Sequence, residues 1–201
     1  MTRRRKEEAF TVVELVFILF IAAVLIGMFI PTTGCGSREK GYRSTCSANV
    51  RQIGLALKQY ALDHNDMYPT GATSTAVFTS LTNGGYLSLG SIYVCRSSTN
   101  AAWTSGAFNA AHNSYSCVAS SADGSIGLSD SVSPDTPLVF DTGLEGVTNG
   151  APLLDANGKK WSSTSAHKGA GGNICYVGGS ATWKTNFDLS HDVTNGYILN
   201  P

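Results

Sequence analysis

The chain has 201 residues, enough for one moderate domain plus a short N-terminal segment. Its formal net charge is zero, with 14 Lys and Arg against 14 Asp and Glu, so nothing in the charge balance predicts a nucleic-acid partner. Charged residues make up 14% of the chain, below the roughly 25% typical of soluble globular proteins, and Ser, Thr, Gly and Asn are abundant instead. This composition favours an exported protein with a loop-rich surface.

A basic patch precedes a long apolar segment at the N-terminus. Residues 3–6 are Arg-Arg-Arg-Lys, and the segment from Phe10 to Ile30 contains one carboxylate, Glu14. About 20 apolar residues at ~1.5 Å each cover the ~30 Å hydrocarbon core, so residues 10–30 are predicted to form a transmembrane helix with a cytoplasmic N-terminus. A charge in such a helix costs about 2.5–3.5 kcal/mol by insertion scales, which indicates that Glu14 has a partner.

Three interpretations of this segment differ in the role they give Glu14. A secretory signal peptide has a shorter apolar region and a better cleavage site than residues 31–34 supply. A plain signal anchor fits the length but gives Glu14 no role. A cut between Ala9 and Phe10 would remove residues 1–9 as a basic leader and create an amine at Phe10. Glu14 lies four positions further on, on the same helix face, so we favour this third interpretation.

The run from Phe10 to Leu15, Phe-Thr-Val-Val-Glu-Leu, resembles the leader-cleavage and N-methylation motif of type IV pilins and type II secretion pseudopilins. The resemblance implies that a prepilin peptidase cuts before Phe10 and methylates its amine. It also implies that Glu14 meets the Phe10 amine of a neighbouring subunit as a filament grows. Ala9 departs from the Gly that the family usually has before the cut. A second resemblance, of residues 33–35 to a lipoprotein cleavage site, would make Cys35 a lipidated N-terminus.

A joint is predicted at residues 31–36, because Pro31 lacks an N–H and Gly34 and Gly36 disfavour regular helix. It is either a loop before a soluble domain or, as the pilin resemblance implies, a section that melts when subunits pack into a filament. Residues 37–66 are predicted to form an amphipathic helix that buries one apolar stripe on a sheet. Its block of residues 46–57, followed by Tyr68-Pro69, resembles the helix of a bacterial pseudopilin-like family.

Residues 67–201 are predicted to form a β-rich globular domain. Short strands are predicted at residues 92–95, 114–118 and 137–141, and a hairpin is predicted over residues 174–183 around Gly178-Gly179. The Phe-Asp pair at 140–141 and the run from His167 to Trp183 resemble two further segments of the pseudopilin-like family. Weak strand character returns at residues 197–199.

The cysteines and histidines show no metal-site spacing. In an oxidising compartment the later cysteines can form up to two disulfides, whose pairing the spacing leaves open. The four are Cys46, Cys95, Cys117 and Cys175. Histidines 64, 112, 167 and 191 are scattered, and we predict loop or hydrogen-bonding roles for them. Major pseudopilins often hold calcium in a C-terminal loop, but no acidic run here has the spacing that would identify ligands, so no cofactor is assigned.

The chain lacks the G-x-S-x-G, H-E-x-x-H and phosphate-loop motifs, so we predict a structural protein rather than an enzyme. The predicted fold is α+β and pilin-like, with a long N-terminal helix whose second half packs on a C-terminal antiparallel sheet. The predicted function is a structural subunit of a type II secretion pseudopilus. Two alternatives are a type IV pilus subunit for adhesion or DNA uptake and an anchored binding domain that does not polymerise.

The predicted location is the bacterial inner membrane, as a single-pass protein with its C-terminal domain in the periplasm. The resemblance implies partners of several kinds: further copies of the chain, other pseudopilins, the prepilin peptidase, the lipid bilayer, and a membrane assembly platform with its ATPase.

Overall fold

The structure is a computed structural model that describes residues 11–29, 35–193 and 195–201. The chain divides into two compact units, Met1–Ser37 and Arg38–Pro201. Three α-helices lie in the described ranges: α1 (Val12–Phe29), α2 (Cys35–Asp63) and α3 (Ser74–Asn83).

The strands of the second unit form two antiparallel sheets. The larger sheet has six strands in the order β3-β8-β1-β2-β5-β6, and the smaller pairs β4 with β7. The strands are β1 (Tyr115–Ala119), β2 (Pro137–Asp141), β3 (Ala151–Pro152), β4 (Lys159–Lys160), β5 (Gly172–Tyr176), β6 (Ala181–Lys184), β7 (Asn186–Phe187) and β8 (Tyr197–Leu199). Short 3₁₀ helices occupy Gly90–Tyr93, Ala110–His112 and Leu153–Ala156.

The core of the second unit combines the central strands with one stripe of α2. All five residues of both β1 and β2 are buried, as expected for strands covered on both faces. The α2 stripe at i, i+3, i+7 and i+11 is buried in the same apolar cluster; its members are Val50, Ile53, Leu57 and Ala61. Gly54 allows a close approach here, because a Cβ at this position would lie 2.6 Å from Sγ of Cys175 in β5.

The predicted fold is wrong in its central feature. The prediction joined residues 10–66 into one long helix, bent near Pro31, that runs from a membrane onto a sheet. The structure instead has separate helices α1 and α2, and α1 belongs to a compact unit that ends at Ser37. Pro31 and Gly34 lie outside the described residues, whereas Gly36 lies in the first turn of α2.

The predicted transmembrane helix is also wrong. Within the ranges that the structure describes, no helix is both long enough and apolar enough to cross a membrane. The prediction counted residues 10–30 as one span, but α1 begins at Val12 and ends at Phe29.

Two local predictions also fail in the β-rich region. Helix α3 was not predicted, because its Ser and Thr residues have low intrinsic helix propensity. Thr73 caps it by accepting the N–H of Ala76 at 3.2 Å, and Val77, Phe78 and Leu81 bury one face. Of the strand predicted at residues 92–95, Ile92 and Tyr93 lie in the 3₁₀ helix Gly90–Tyr93, and residues 94–95 are in no strand.

Candidate functional site

A buried histidine forms the centre of a polar cluster in the second unit. His167 lies in the loop before β5 with 3% of its surface exposed. Its Nδ1 lies 2.6 Å from Oε1 of Glu39 in α2, and its Nε2 lies 3.6 Å from Oδ2 of Asp141 at the end of β2. The same Nε2 lies 3.3 Å from Sγ of Cys95. One imidazole therefore links α2, the central strand β2 and the loop after the first 3₁₀ helix.

Asp141 is the most deeply buried carboxylate of this cluster, with 1% of its surface exposed. The backbone N–H and the side-chain amide of Asn173 in β5 both donate to its Oδ2, at 2.6 and 3.0 Å. Its Oδ1 has no hydrogen-bond partner among the described residues. Burial raises the pKa of Asp141, and the His167 charge and the Asn173 hydrogen bonds only partly oppose this effect.

Glu39 is the more solvated carboxylate. Burial acts to raise its pKa, but hydrogen bonds from His167 and Ser97 and the charge of His167 outweigh burial, so the pKa is lowered. Ser97 donates at 3.0 Å. An ionised Glu39 only accepts hydrogen bonds, so the proton at the short Glu39–His167 contact belongs to Nδ1 of the imidazole.

Arg43 and Trp183 cover one side of the cluster. The guanidinium of Arg43 lies 4.2 Å from the centre of the Trp183 ring in β6, within cation–π range. The Trp183 ring also meets the His167 ring edge-on, with 5.0 Å between centroids. Nε of Arg43 lies 3.5 Å from Oε1 of Glu39, an ion-pair distance, but it has no hydrogen-bond partner among the described residues.

A disulfide closes the other side of the cluster. Cys46 in α2 is bonded to Cys95, and both are fully buried. One turn along α2, the side-chain amide of Asn49 donates to the carbonyl of Val94 at 3.1 Å. The helix is thus fixed to the segment around Cys95 by a covalent bond and a hydrogen bond. Chemically, the whole arrangement is a set of charge-assisted contacts and a cross-link that hold α2 in place.

The cysteine predictions have a definite outcome. Two of the four candidate cysteines, Cys46 and Cys95, form a disulfide. The other two, Cys117 in β1 and Cys175 in β5, are free and buried. Burial raises the pKa of both thiols, that of Cys175 to about 11, so neither is a reactive thiolate at neutral pH.

The residues of the predicted processing and assembly site are described only in part. Ala9 and Phe10 lie outside the described residues. Glu14 lies in the first turn of α1 and is exposed. Its N–H donates to Oγ1 of Thr11 at 3.3 Å, so residues 11–14 follow the T-x-x-E spacing of a helix N-terminal capping box. A carboxylate at a helix N-terminus also interacts favourably with the helix dipole, which reduces the cost of placing Glu14 there.

Helix α1 carries most of the exposed apolar surface. The described residues include 17 large hydrophobic side chains that are exposed, and 12 of them lie on α1. They occupy every side of the helix: Val12, Val13, Leu15, Val16, Phe17, Ile18, Leu19, Phe20, Ile21, Val24, Leu25 and Ile26. A helix that is apolar on all sides requires cover on all sides, so α1 is the main candidate binding surface of the chain.

The polar cluster was only partly predictable from the sequence. His167, Asn173 and Asp141 were noted as parts of two resembling segments, and His167 was predicted to make hydrogen bonds. The sequence does not predict that His167 and Asn173 both contact Asp141, because it does not show that β2 pairs with β5. Glu39 was missed entirely, since a carboxylate on an amphipathic helix is typical of a solvated face. The only available signal was its i, i+4 spacing from Arg43.

Residues 37–103, about a third of the chain, match the model of a family described as "Protein of unknown function (DUF1559)". The matched segment contains most of α2 and both disulfide cysteines, and it begins after the pilin-like N-terminal motif. Neither the curated proteins nor the solved structures include a match to this chain.

These findings correct three predictions about identity and location. The matched description names neither a secretion system nor a pseudopilin, so the comparisons give no support to the assignment to the type II secretion pseudopilins. The transmembrane assignment fails because no described helix meets the length and apolarity that a span requires. The placement as a single-pass inner-membrane protein with a periplasmic domain loses its basis for the same reason.

Proposed function

We propose that this chain is a non-catalytic structural subunit that assembles with further copies of itself through α1. The observation that carries the proposal is the exposure of the 12 large apolar side chains of that helix. Burying one such side chain stabilises by about 1.5–3 kcal/mol, so a dozen contribute about 20 kcal/mol or more before costs. Association costs about 4–15 kcal/mol, which leaves a net driving force.

The distribution of the apolar residues favours an assembly with several neighbours. A dimer seam needs only a narrow apolar stripe, whereas α1 is apolar around its full circumference. The interior of a helical bundle covers such a helix from several directions at once. Copies of the same chain supply identical apolar helices, so they can bury the apolar surface of α1 without a different partner.

The N-terminal motif supports a processing step before assembly. A prepilin-type peptidase would cut between Ala9 and Phe10, removing the basic leader and creating an amine at Phe10. In the assembly, Glu14 of one copy would pair with the Phe10 amine of the next. That pairing replaces an isolated carboxylate inside an apolar bundle with a matched ion pair, which offsets much of the burial cost. An ATP-driven assembly machine is the partner class that this processing implies.

Two measurements on the full chain from its native host test the proposal. Mass spectrometry of the mature N-terminus should find N-methyl-Phe10 as the first residue, and sedimentation velocity should find a multi-copy species. A chain that starts at Met1, or one that begins with a diacylglyceryl Cys35, would contradict the processing step. A monomer that sediments with lipid vesicles but never with other copies would contradict self-assembly.

A second candidate function, binding of a small polar ligand, is favoured by a cavity of about 280 Å³ in the second unit. Its walls are mostly hydroxyls from residues 97–99 and 163–165, and Lys168 is the charged residue among them. Hydroxyls with one cation suit a small oxyanion or a polyhydroxyl compound. Thermal shift with phosphate, sulfate and simple sugars tests this candidate, and Lys168→Gln should abolish any shift that an anion causes.

A further inference from the structure

The sulfurs of Cys46 and Cys95 and Nε2 of His167 all lie within 4.8 Å of one another, and all three residues are buried. Nε2 of His167 is 3.3 Å from the Cys95 sulfur. Two thiolates and an imidazole are the ligands that zinc prefers in proteins, with ligand distances of about 2.0–2.3 Å from the ion. Among the described residues this is the one group of three or more His, Cys, Asp or Glu side chains with metal-ligand proximity.

A second observation points to the same use of His167. Metal-binding histidines usually donate their other ring N–H to a carboxylate, which fixes the tautomer and turns the remaining nitrogen towards the metal. Glu39 accepts from Nδ1 at 2.6 Å, so in the neutral imidazole the lone pair is on Nε2, the nitrogen that lies 3.3 Å from the Cys95 sulfur. Oδ2 of Asp141 lies 3.6 Å from Nε2, and Oδ1 of the same carboxylate is buried with no hydrogen-bond partner in the described part of the chain.

We propose that the dithiol form of the chain, before the Cys46–Cys95 disulfide forms, binds one zinc-class divalent ion through both cysteines and Nε2 of His167. Binding converts two thiols and a hydrated ion into a dithiolate complex and releases two protons to solvent. The fourth ligand is a water. Because two thiolates neutralise the ion, the loaded site carries no net charge into the core.

The disulfide and the metal complex exclude each other, because each uses both sulfurs. The ion would hold α2 against the segment around Cys95 while the chain is reduced, as the disulfide does after oxidation. Oxidation by a disulfide-class oxidant transfers two electrons from the thiolates to that oxidant, joins the sulfurs and releases the ion. The same contact between α2 and Cys95 is therefore available in both redox states.

The test is a titration of the full chain, kept reduced with a phosphine, with Co²⁺ as a spectroscopic probe for zinc. We expect one equivalent to bind, with thiolate-to-cobalt charge-transfer absorption and the intense visible bands of a tetrahedral site. Zn²⁺ should displace Co²⁺, and oxidation of the chain should abolish binding. Absence of these bands in the reduced protein would overturn the proposal.

Variants identify the ligands. Cys46→Ser should lose the charge-transfer bands, and His167→Gln should weaken binding at least tenfold. Cys117→Ser and Cys175→Ser each remove a thiol outside the group and should bind as the parent does. Equal binding by Cys46→Ser and Cys175→Ser would show that the ion uses other thiols and would overturn the assignment, even if His167→Gln does not fold.

Discussion

Nδ1 of His167 donates to Oε1 of Glu39 at 2.6 Å, across a sequence separation of 128 residues. This contact joins two distant parts of the second unit. Glu39 lies at the beginning of that unit, and His167 lies just before β5. The ionised carboxylate accepts a hydrogen bond from Nδ1–H, and the other ring nitrogen, Nε2, faces Asp141 and Cys95. The histidine therefore links three parts of the fold that the sequence places far apart.

Replacing the central histidine should destabilise the second unit. His167→Gln removes the ring that stands between two carboxylates and leaves buried Asp141 with fewer partners. We expect a loss of about 3–5 kcal/mol in the free energy of unfolding, as for removal of one partner from a buried pair. Urea unfolding measures the loss. The matched control is His191→Gln, an exposed position where we expect a change within about 0.5 kcal/mol. Equal effects at the two positions would contradict the central role of His167.

Asp141, at the end of β2, should make the free energy of unfolding depend on pH with the opposite sign to most acidic residues. Burial raises the pKa of Asp141, so its contribution to stability is present below the unfolded-state pKa, about 3.9, and is lost as pH rises through the folded-state pKa. Asp141→Asn cannot ionise and still offers an oxygen to Asn173. The variant should therefore gain stability relative to the parent as pH rises from about 3.5 to 8.

Urea unfolding of both proteins across this pH range checks the expectation. Asp135→Asn is the control, because Asp135 is exposed two residues before β2 and has no comparable burial. A stability difference between Asp141→Asn and the parent that stays constant with pH would contradict the raised pKa of Asp141.

The sequence predicted local patterns well and long-range contacts poorly. The buried α2 stripe, the strands near residues 115–119 and 137–141, and the strand at 197–199 follow from short-range periodicity, and the structure contains them. The contacts of Glu39 with His167 and of Cys46 with Cys95 depend on how the sheet is ordered, which periodicity does not encode. The failed transmembrane prediction has a different cause, since hydropathy of residues 10–30 does not define where the helix begins and ends.

The charge of Glu14 should matter for assembly and not for the helix itself. Glu14→Gln keeps the length and polarity of the side chain and the hydrogen bond from its N–H to Thr11, but it removes the negative charge. We expect the variant to lose the multi-copy species while the helical circular-dichroism signal stays unchanged. Glu145→Gln, at an exposed position in the second unit, should assemble normally. Normal assembly of Glu14→Gln would contradict pairing with the Phe10 amine.

The most direct test of self-assembly through α1 compares two sets of leucine substitutions at exposed positions by sedimentation velocity. One variant replaces Leu15, Leu19 and Leu25 of α1 by Gln, and the matched control replaces Leu62, Leu89 and Leu154 of the second unit by Gln. All six side chains are at least half exposed, so the variants lose similar apolar surface. We predict that the α1 variant sediments as a monomer and that the control remains a multi-copy species. A parent chain that is already monomeric, or an α1 variant that assembles as well as the control, would contradict the account.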